Sequence, residues 1–335
     1  MKLMFNSSLF NDFVKKSNMI KSEGIQIRSV NGQIKLINCD LENQVTTEII
    51  GEIYESGSLI MPRDIFSLIK DNQPMTITND YIEIGNRKIT YDFKDEYYPV
   101  IEDNYEYNVF DLNDKEIKTL LEVEHAISTD KTKPILNGIR IQDNKFIAID
   151  GYRMCERIGN FNNDIPITIS NYKMLKSLRG QIKATCSDKH INYQVGNYNF
   201  SNRLIEGDFI EVDKLKPREH KTVITVNKKE LEEILKSLNK VTDKVRNSLV
   251  NLTIRDNILH IKASNDSVSV EDSMKCNTKG EHLDIAFNCK YLLEAIKNMH
   301  SSINMKFTNQ VNPVILESPG KYELILPVRM IKEVK

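Results

Sequence analysis

The strongest constraint on this chain is a pattern that recurs three times along its 335 residues. A β-like run, a short polar residue and a helix with apolar residues three and four apart appear at 3–14, at 108–121 and at 223–235. Ser7, Asn113 and Asn227 stand where a side-chain oxygen can accept the orphan amides of a first helical turn. They recur at intervals of roughly 110 residues, the size of one small domain. A second helix follows a β-run in each repeat, at 59–70, 167–178 and 285–296, with Pro62 expected in the first turn of the earliest one. Period-two runs such as 25–30, 81–84, 191–195 and 258–261, joined by Asn-Gly, Asp-Asn and Gly-Asn turns, read as antiparallel strands. The fold class is therefore α+β. Three similar domains are expected at 1–107, 108–219 and 220–335, each with two helices packed on antiparallel sheet.

Composition narrows the function classes. With 46 basic and 47 acidic residues the net charge is −1, so blanket positive charge is not how this chain would hold a polyanion. The five cysteines, Cys39, Cys155, Cys186, Cys276 and Cys289, are odd in number and never form a C-x-x-C pair. They read as reduced thiols, without a disulfide framework or zinc site. No apolar run reaches the length of a membrane span and the first residues lack a signal-peptide core, so a cytoplasmic, membrane-free protein is expected.

Chemistry is equally sparse. None of the six histidines (His125, His190, His220, His260, His282, His300) falls at metal-ligand spacing, and no G-x-S-x-G or phosphate loop occurs. Asp40, Asp150 and Glu206 could supply carboxylates, but nothing in the spacing makes them converge. The expectation is a non-enzyme with no catalytic residue, no metal and no cofactor.

The most informative stretch is 133–153. Two apolar-alternating runs flank the turn Gln142, Asp143, Asn144, Lys145, and Asp150-Gly151 closes the second run. Adjacent antiparallel strands are expected, with a rigid surface at their ends.

Here the chain resembles a known family, the bacterial DNA sliding clamp, or β subunit of the replicative DNA polymerase III. The resemblance is carried by Lys133-Pro134-Ile135-Leu136-Asn137-Gly138, by Asp150-Gly151-Tyr152-Arg153-Met154, by the run from Asn202 to Phe209 and by Leu324-Ile325-Leu326-Pro327-Val328-Arg329-Met330. It extends over essentially the whole chain and includes the repeat. It implies a homodimer in which two three-domain crescents close head to tail into a ring, with helices lining the hole and sheets outside. The implied activity is that of a processivity factor encircling double-stranded DNA without sequence preference. The alternative is a clamp-like peptide-binding scaffold that no longer closes on DNA.

The implied partners, besides DNA and a second copy, are the polymerase III catalytic subunit and the clamp loader, which would insert a short extended peptide into an apolar pocket. By motif position that pocket uses Leu136, Ile149, Gly151, Tyr152, Arg153 and Met154, then Ile210 and Leu215, then Val311, Leu324, Ile325, Leu326, Pro327, Val328 and Arg329. Arg153 and Arg329 would orient polar groups of the peptide. DNA contacts are implied at Lys21, Lys131 and Lys133, and at Lys173, Lys176 and Arg179 on the acid-free helix at 170–179. The ring-closing interface is implied to join Ile89 and Tyr91 to Val241 and Thr242. The sequence departs from the family pattern in Tyr152 where His is usual, Ile210 where Pro is usual, and residues 331–335 beyond the usual end.

Overall fold

The structure is a computed structural model that describes residues 1–70, 72–91, 98–102, 104–105, 107–161, 165–242 and 248–329; the terminal extension at 331–335 lies outside the described residues. The chain forms two compact units. One comprises Met1–Ile117, Phe161–Ile165 and Ile169–Ile205, the other Lys118–Asn160, Pro166–Thr168 and Glu206–Lys335.

The helix starts follow from short polar side chains. Asn113 accepts the amides of Lys115 and Glu116 at 2.9 and 3.1 Å, and Asn227 accepts that of Glu230 at 3.2 Å, as the sequence suggested. The first helix, Ser7–Lys16, differs: Asn6 caps it by accepting from the Ser8 amide, and Ser7 instead accepts the Gln73 amide at 3.0 Å. The expected second helices of the first two repeats, Arg63–Leu68 and Tyr172–Ser177, are wound as six-residue 3-10 turns. Pro62 ends the strand before the first of them and does not enter the helix. So short a segment gains little from α-type bonds, and the tighter turn keeps Phe66 edge-on against Phe10 at 5.3 Å.

In the first unit a five-stranded sheet runs Glu52–Glu55, Lys2–Asn6, Pro74–Thr78, Tyr81–Ile84, Arg87–Thr90. An eight-stranded sheet runs Tyr107–Leu112, Ile182–Cys186, His190–Val195, Tyr198–Arg203, Asn43–Ile49, Gln33–Cys39, Gly24–Val30, Ser58–Pro62. Its middle is a join between repeats, because Tyr198–Arg203 pairs antiparallel with Asn43–Ile49 from the preceding repeat.

The second unit is built the same way. A nine-stranded sheet passes through Ile139–Gln142, Lys145–Ile149, Arg153–Ile158, Lys321–Ile325, Val314–Ser318, Ser302–Phe307 and Thr222–Asn227, with Ile167–Ile169 and Asn277–Gly280 at its edges. A four-stranded sheet runs Ser269–Lys275, Ile258–Ser264, Leu249–Arg255, Leu283–Asn288. Helix Lys228–Thr242 buries Leu231, Ile234, Leu235, Leu238 and Thr242, one face at helical spacing. With Leu292 and Ile296 of helix Cys289–Ile296 that face packs on Val250, Leu252, Phe287 and Phe307. Among the described residues no helix is long and apolar enough to cross a membrane.

The seam of the second unit is the pairing of Arg153–Ile158 with Lys321–Ile325, which sets Cys155 opposite Glu323 and Arg157 opposite Lys321. Arg157 and Glu323 are both fully buried and paired. The Arg157 Nε also meets Glu122 at 3.0 Å, Lys321 reaches Glu122 at 2.8 Å, and the His125 Nε2 stands 3.2 Å from the second Glu323 oxygen. Burial by itself would raise the Glu323 pKa, but His125 and Arg157 outweigh it and hold the carboxyl below its usual range. A carboxylate whose pKa is lowered on folding adds stability above its unfolded value and loses it as pH falls through the folded one.

Arg157→Ala leaves Glu323 buried without its cation and is expected to lower unfolding free energy by about 3–5 kcal/mol in denaturant titrations. Replacing both partners, as Arg157→Met with Glu323→Leu, is expected to recover most of that loss. Glu323→Gln should flatten the fall in stability on acidification; an unchanged acid slope would show that Glu323 does not carry it.

Candidate functional site

The stretch at 133–153 folds around two turns. Asp143 and Asn144 both take left-handed backbone (φ 50° and 60°), the requirement of the tight turn joining Ile139–Gln142 to Lys145–Ile149. At the far end Asp150 accepts the amides of Tyr152 and Arg153 at 2.9 and 3.0 Å, while Gly151 takes φ 92° between them. The expected first strand is shorter than its alternation suggests. Pro134–Leu136 forms a 3-10 turn closed by the Leu136 amide on the Lys133 carbonyl.

Beside the main core of this unit lies a separate apolar cluster of Leu136, Ile147, Ile149, Met154 and Leu324. Ile135, Phe209, Val212 and Tyr322 pack against it half-buried. Its surroundings include large apolar side chains left to solvent: Tyr152 at 63% exposure, Leu326 at 39%, Ile210 at 39% and Leu215 at 38%. A satellite cluster with apolar groups exposed on neighbouring segments is a surface able to take up apolar side chains.

The structure divides the expected pocket residues. Leu136, Ile149, Met154 and Leu324 belong to the cluster, whereas Ile325, next along the strand, points the other way into the main core. Leu326 is held by its amide on the Tyr152 carbonyl at 2.9 Å, and Val328 by its amide on the Ala286 carbonyl at 2.8 Å. Pro327 and Val328 are half-buried and Arg329 is exposed. Val311, 64% exposed, sits in a turn organised by Asn309. Ile147, Phe209 and Tyr322 were missed by motif position. The signal for Ile147 and Tyr322 was strand alternation, since Ile147 lies two residues before Ile149 and Tyr322 two before Leu324.

Arg153, which the resemblance implies would orient polar groups of a peptide, is bonded within the chain. Its side chain is 8% exposed, with Nε on Asp150 at 2.9 Å, one terminal nitrogen on Glu294, the other on the His125 carbonyl, and the guanidinium 4.2 Å from the Tyr291 ring centre. Burial pushes its pKa down, but Glu294 and Asp150 reverse that and raise it. Each nitrogen of the fork has a partner within the chain, so Arg153 fixes the turn under Tyr152, whose ring lies 6.4 Å from Tyr291.

The expected polar contacts are surface groups. Lys21, Lys173, Lys176 and Arg179 are exposed in the first unit, Lys131 and Lys133 in the second. Arg179 also donates to the Lys176 and Leu178 carbonyls at the end of its turn. Ile89 and Tyr91 are half-buried, with the Tyr91 hydroxyl on the Thr78 carbonyl at 3.1 Å. Val241 is half-buried, but Thr242 is fully buried and bonded to Ser248 at 2.9 Å, so its side chain does not face outward as expected.

Among the described residues, one group has donor atoms of metal-binding type: those of His125, Cys155 and Glu323 lie within 4.8 Å of one another. Glu323 is already neutralised by Arg157, and a dication there would sit against a buried guanidinium. The arrangement is that of a charge network, not of a metal centre.

The sequence matches the family described as DNA polymerase III beta subunit, central domain, over residues 111–211, and DNA polymerase III beta subunit, C-terminal domain, over residues 213–329. A protein named Beta sliding clamp from Streptococcus pneumoniae is 26% identical over 347 residues, covering 92% of this chain and 90% of that one. The solved structure of the DNA polymerase sliding clamp from Bacillus subtilis superposes with a TM-score of 0.85 at 22% identity, over 99% of this chain and 100% of that one. That of a sliding clamp from Bartonella birtlesii, bound to griselimycin, gives 0.83 at 21% identity, over 98% and 100%.

The bonding of Arg153 yields a stability prediction. Arg153→Ala is expected to cost about 2–3 kcal/mol in denaturant unfolding, since it takes the cation from Asp150 and Glu294 and leaves the His125 carbonyl without that donor. Tyr152→Ala, at an exposed position, is expected to stay within about 0.5 kcal/mol of the native protein. Equal small effects would mean that Arg153 is not a fixed part of the turn.

Proposed function

The chain belongs to the DNA polymerase III β-subunit family, and from that premise we propose that it is a processivity clamp. Two copies close head to tail around duplex DNA, and the slot over Leu136, Ile149, Met154 and Leu324 takes a short extended peptide from the replicative polymerase or the clamp loader. The observation that carries this reading is the satellite apolar cluster, separate from the main core, with Tyr152, Ile210, Leu215 and Leu326 exposed on neighbouring segments. Branched aliphatics supply a dry floor and Tyr152 an amphipathic wall, a composition suited to anchoring a few apolar side chains of a peptide. A structural relative, the Bartonella birtlesii sliding clamp, is bound to griselimycin.

Holding DNA without reading it calls for scattered cations, not a tight phosphate clamp. Exposed Lys21, Lys131, Lys133, Lys173, Lys176 and Arg179 suit that task within a chain of net charge −1. The three domains of this proposal are 1–107, 108–219 and 220–335. The protein acts by tethering and needs no catalytic residue, metal or cofactor, and it works in the cytoplasm. A scaffold that no longer closes on DNA is not favoured, since the relatives carry the clamp name over nine-tenths of the chain.

Ring closure has a physical basis in two sheet edges. Arg87–Thr90 pairs only with Tyr81–Ile84, and Ser269–Lys275 only with Ile258–Ser264, among the described residues. The first edge carries Arg87 and Lys88, the second Glu271 and Asp272. Unpaired edges of opposite charge on two copies can extend one sheet across the interface, with Ile89 and Tyr91 adjoining it.

Light scattering at micromolar concentration should give the mass of two chains. Reversal by Glu271→Lys with Asp272→Lys should give monomers, and mixing that variant with Arg87→Glu, Lys88→Glu protein should restore association. A native protein that stays monomeric would refute the ring. A polymerase-derived clamp-binding peptide should bind the native chain and lose at least about tenfold in affinity, ~1.4 kcal/mol, with Tyr152→Ala or Leu326→Ala. Unchanged affinity in both would place the peptide elsewhere.

A further inference from the structure

The eight-stranded sheet carries a feature that tethering does not use. On one face, Arg28 and Lys35 stand directly opposite each other in neighbouring antiparallel strands. Like charges in that position repel, and the carboxylate opposite Lys35 in the next strand, Glu48, is exposed and makes no ion pair with it among the described residues. Neither Arg28 nor Lys35 has a side-chain hydrogen bond or ion pair among the described residues, and the Arg28 Nε is buried without an acceptor. Both side chains are half-buried, so solvent screens them only in part. A sequence that leaves two cations facing each other, one with a stranded donor, keeps a local cost that an anion would relieve.

The two cations line a cleft of about 330 Å³, at the small end of ligand-sized pockets. Its walls are polar. Thr46 and Asn199 face each other across one strand pair, and Ser201 and Asn192 across the next. The Ser201 hydroxyl donates to the Asn192 side-chain oxygen at 3.3 Å, and the Asn192 amide to that of Asn199 at 3.4 Å. Asn199 thus enters the chain of bonds as an acceptor, and its own NH2 group is left as a donor. Ile37, Val100 and Ile101 add apolar surface, and Glu102 is the carboxylate on the cleft wall, exposed to solvent and unpaired with either cation.

We propose that this cleft binds the phosphoryl group of a small molecule, with Arg28 as a bidentate donor, Lys35 as a point charge and Asn199 as a neutral donor. A planar fork beside an ammonium matches a compact dianion with three equivalent oxygens. A carboxylate, with one charge, satisfies only one of the two cations. Ile37, Val100 and Ile101 provide contact for the organic part of the ligand. Nothing in this site depends on the peptide slot or on ring closure.

Calorimetric titration of the full chain at fixed ionic strength, with phenyl phosphate, inorganic phosphate and benzoate, tests the proposal. Expected are saturable one-to-one binding of phenyl phosphate, competition by inorganic phosphate, and at least tenfold weaker binding by Arg28→Gln and by Lys35→Gln. Arg28→Gln should keep the native melting temperature or exceed it without ligand, because it removes the like-charge pair and leaves Lys35 opposite Glu48. No saturable binding, benzoate binding as tightly as phenyl phosphate, or variants that bind as the native chain does would each overturn it.

Discussion

The interaction on which the second unit depends is the antiparallel pairing of Arg153–Ile158 with Lys321–Ile325, locked by the buried Arg157–Glu323 pair beneath it. These strands are more than a hundred residues apart in sequence, so joining them costs loop-closure entropy that backbone bonds and burial must offset. The seam fixes two things together. It brings Met154 and Leu324 into one apolar cluster, and it delivers Leu326 to the Tyr152 carbonyl. A charge pair at such a place specifies register, because a one-residue slip would leave both ions buried and unpaired.

From the seam a line of bonds leads to the slot. Glu323 meets His125, the His125 carbonyl receives Arg153, and Arg153 holds Asp150 and Glu294. The turn at Gly151 is thereby fixed from beneath while Tyr152 stays exposed above it. Rigid support under exposed apolar groups lowers the ordering cost of any contact they make.

Much of this was legible in the sequence. Threefold periodicity, period-two runs and Asx-type caps gave the α+β class and the helix starts at Asn113 and Asn227, since those signals are local. What failed was nonlocal or crowded. Asn6, not Ser7, caps the first helix because Ser7 is drawn to the Gln73 amide from a distant strand. The turns at Arg63–Leu68 and Tyr172–Ser177 were indistinguishable from α-helix by apolar spacing alone over six residues. A motif carries position but says nothing of Glu294, which lies 141 residues from Arg153 and bonds it. Strand alternation separates Ile325, which enters the main core, from Leu324, which enters the smaller cluster.

The central claim is topological, that the protein stays on DNA by enclosing it, and retention on circular DNA tests it most directly. The protein is loaded by its clamp loader onto nicked circular duplex, washed at high salt, and the DNA is then cut once. Enclosure predicts that the protein survives the salt wash on circles and leaves when the ends are freed. Loss from intact circles at high salt, or equal retention on circular and linear DNA, would contradict it, because either result would mean that charge contacts rather than a closed ring hold the complex.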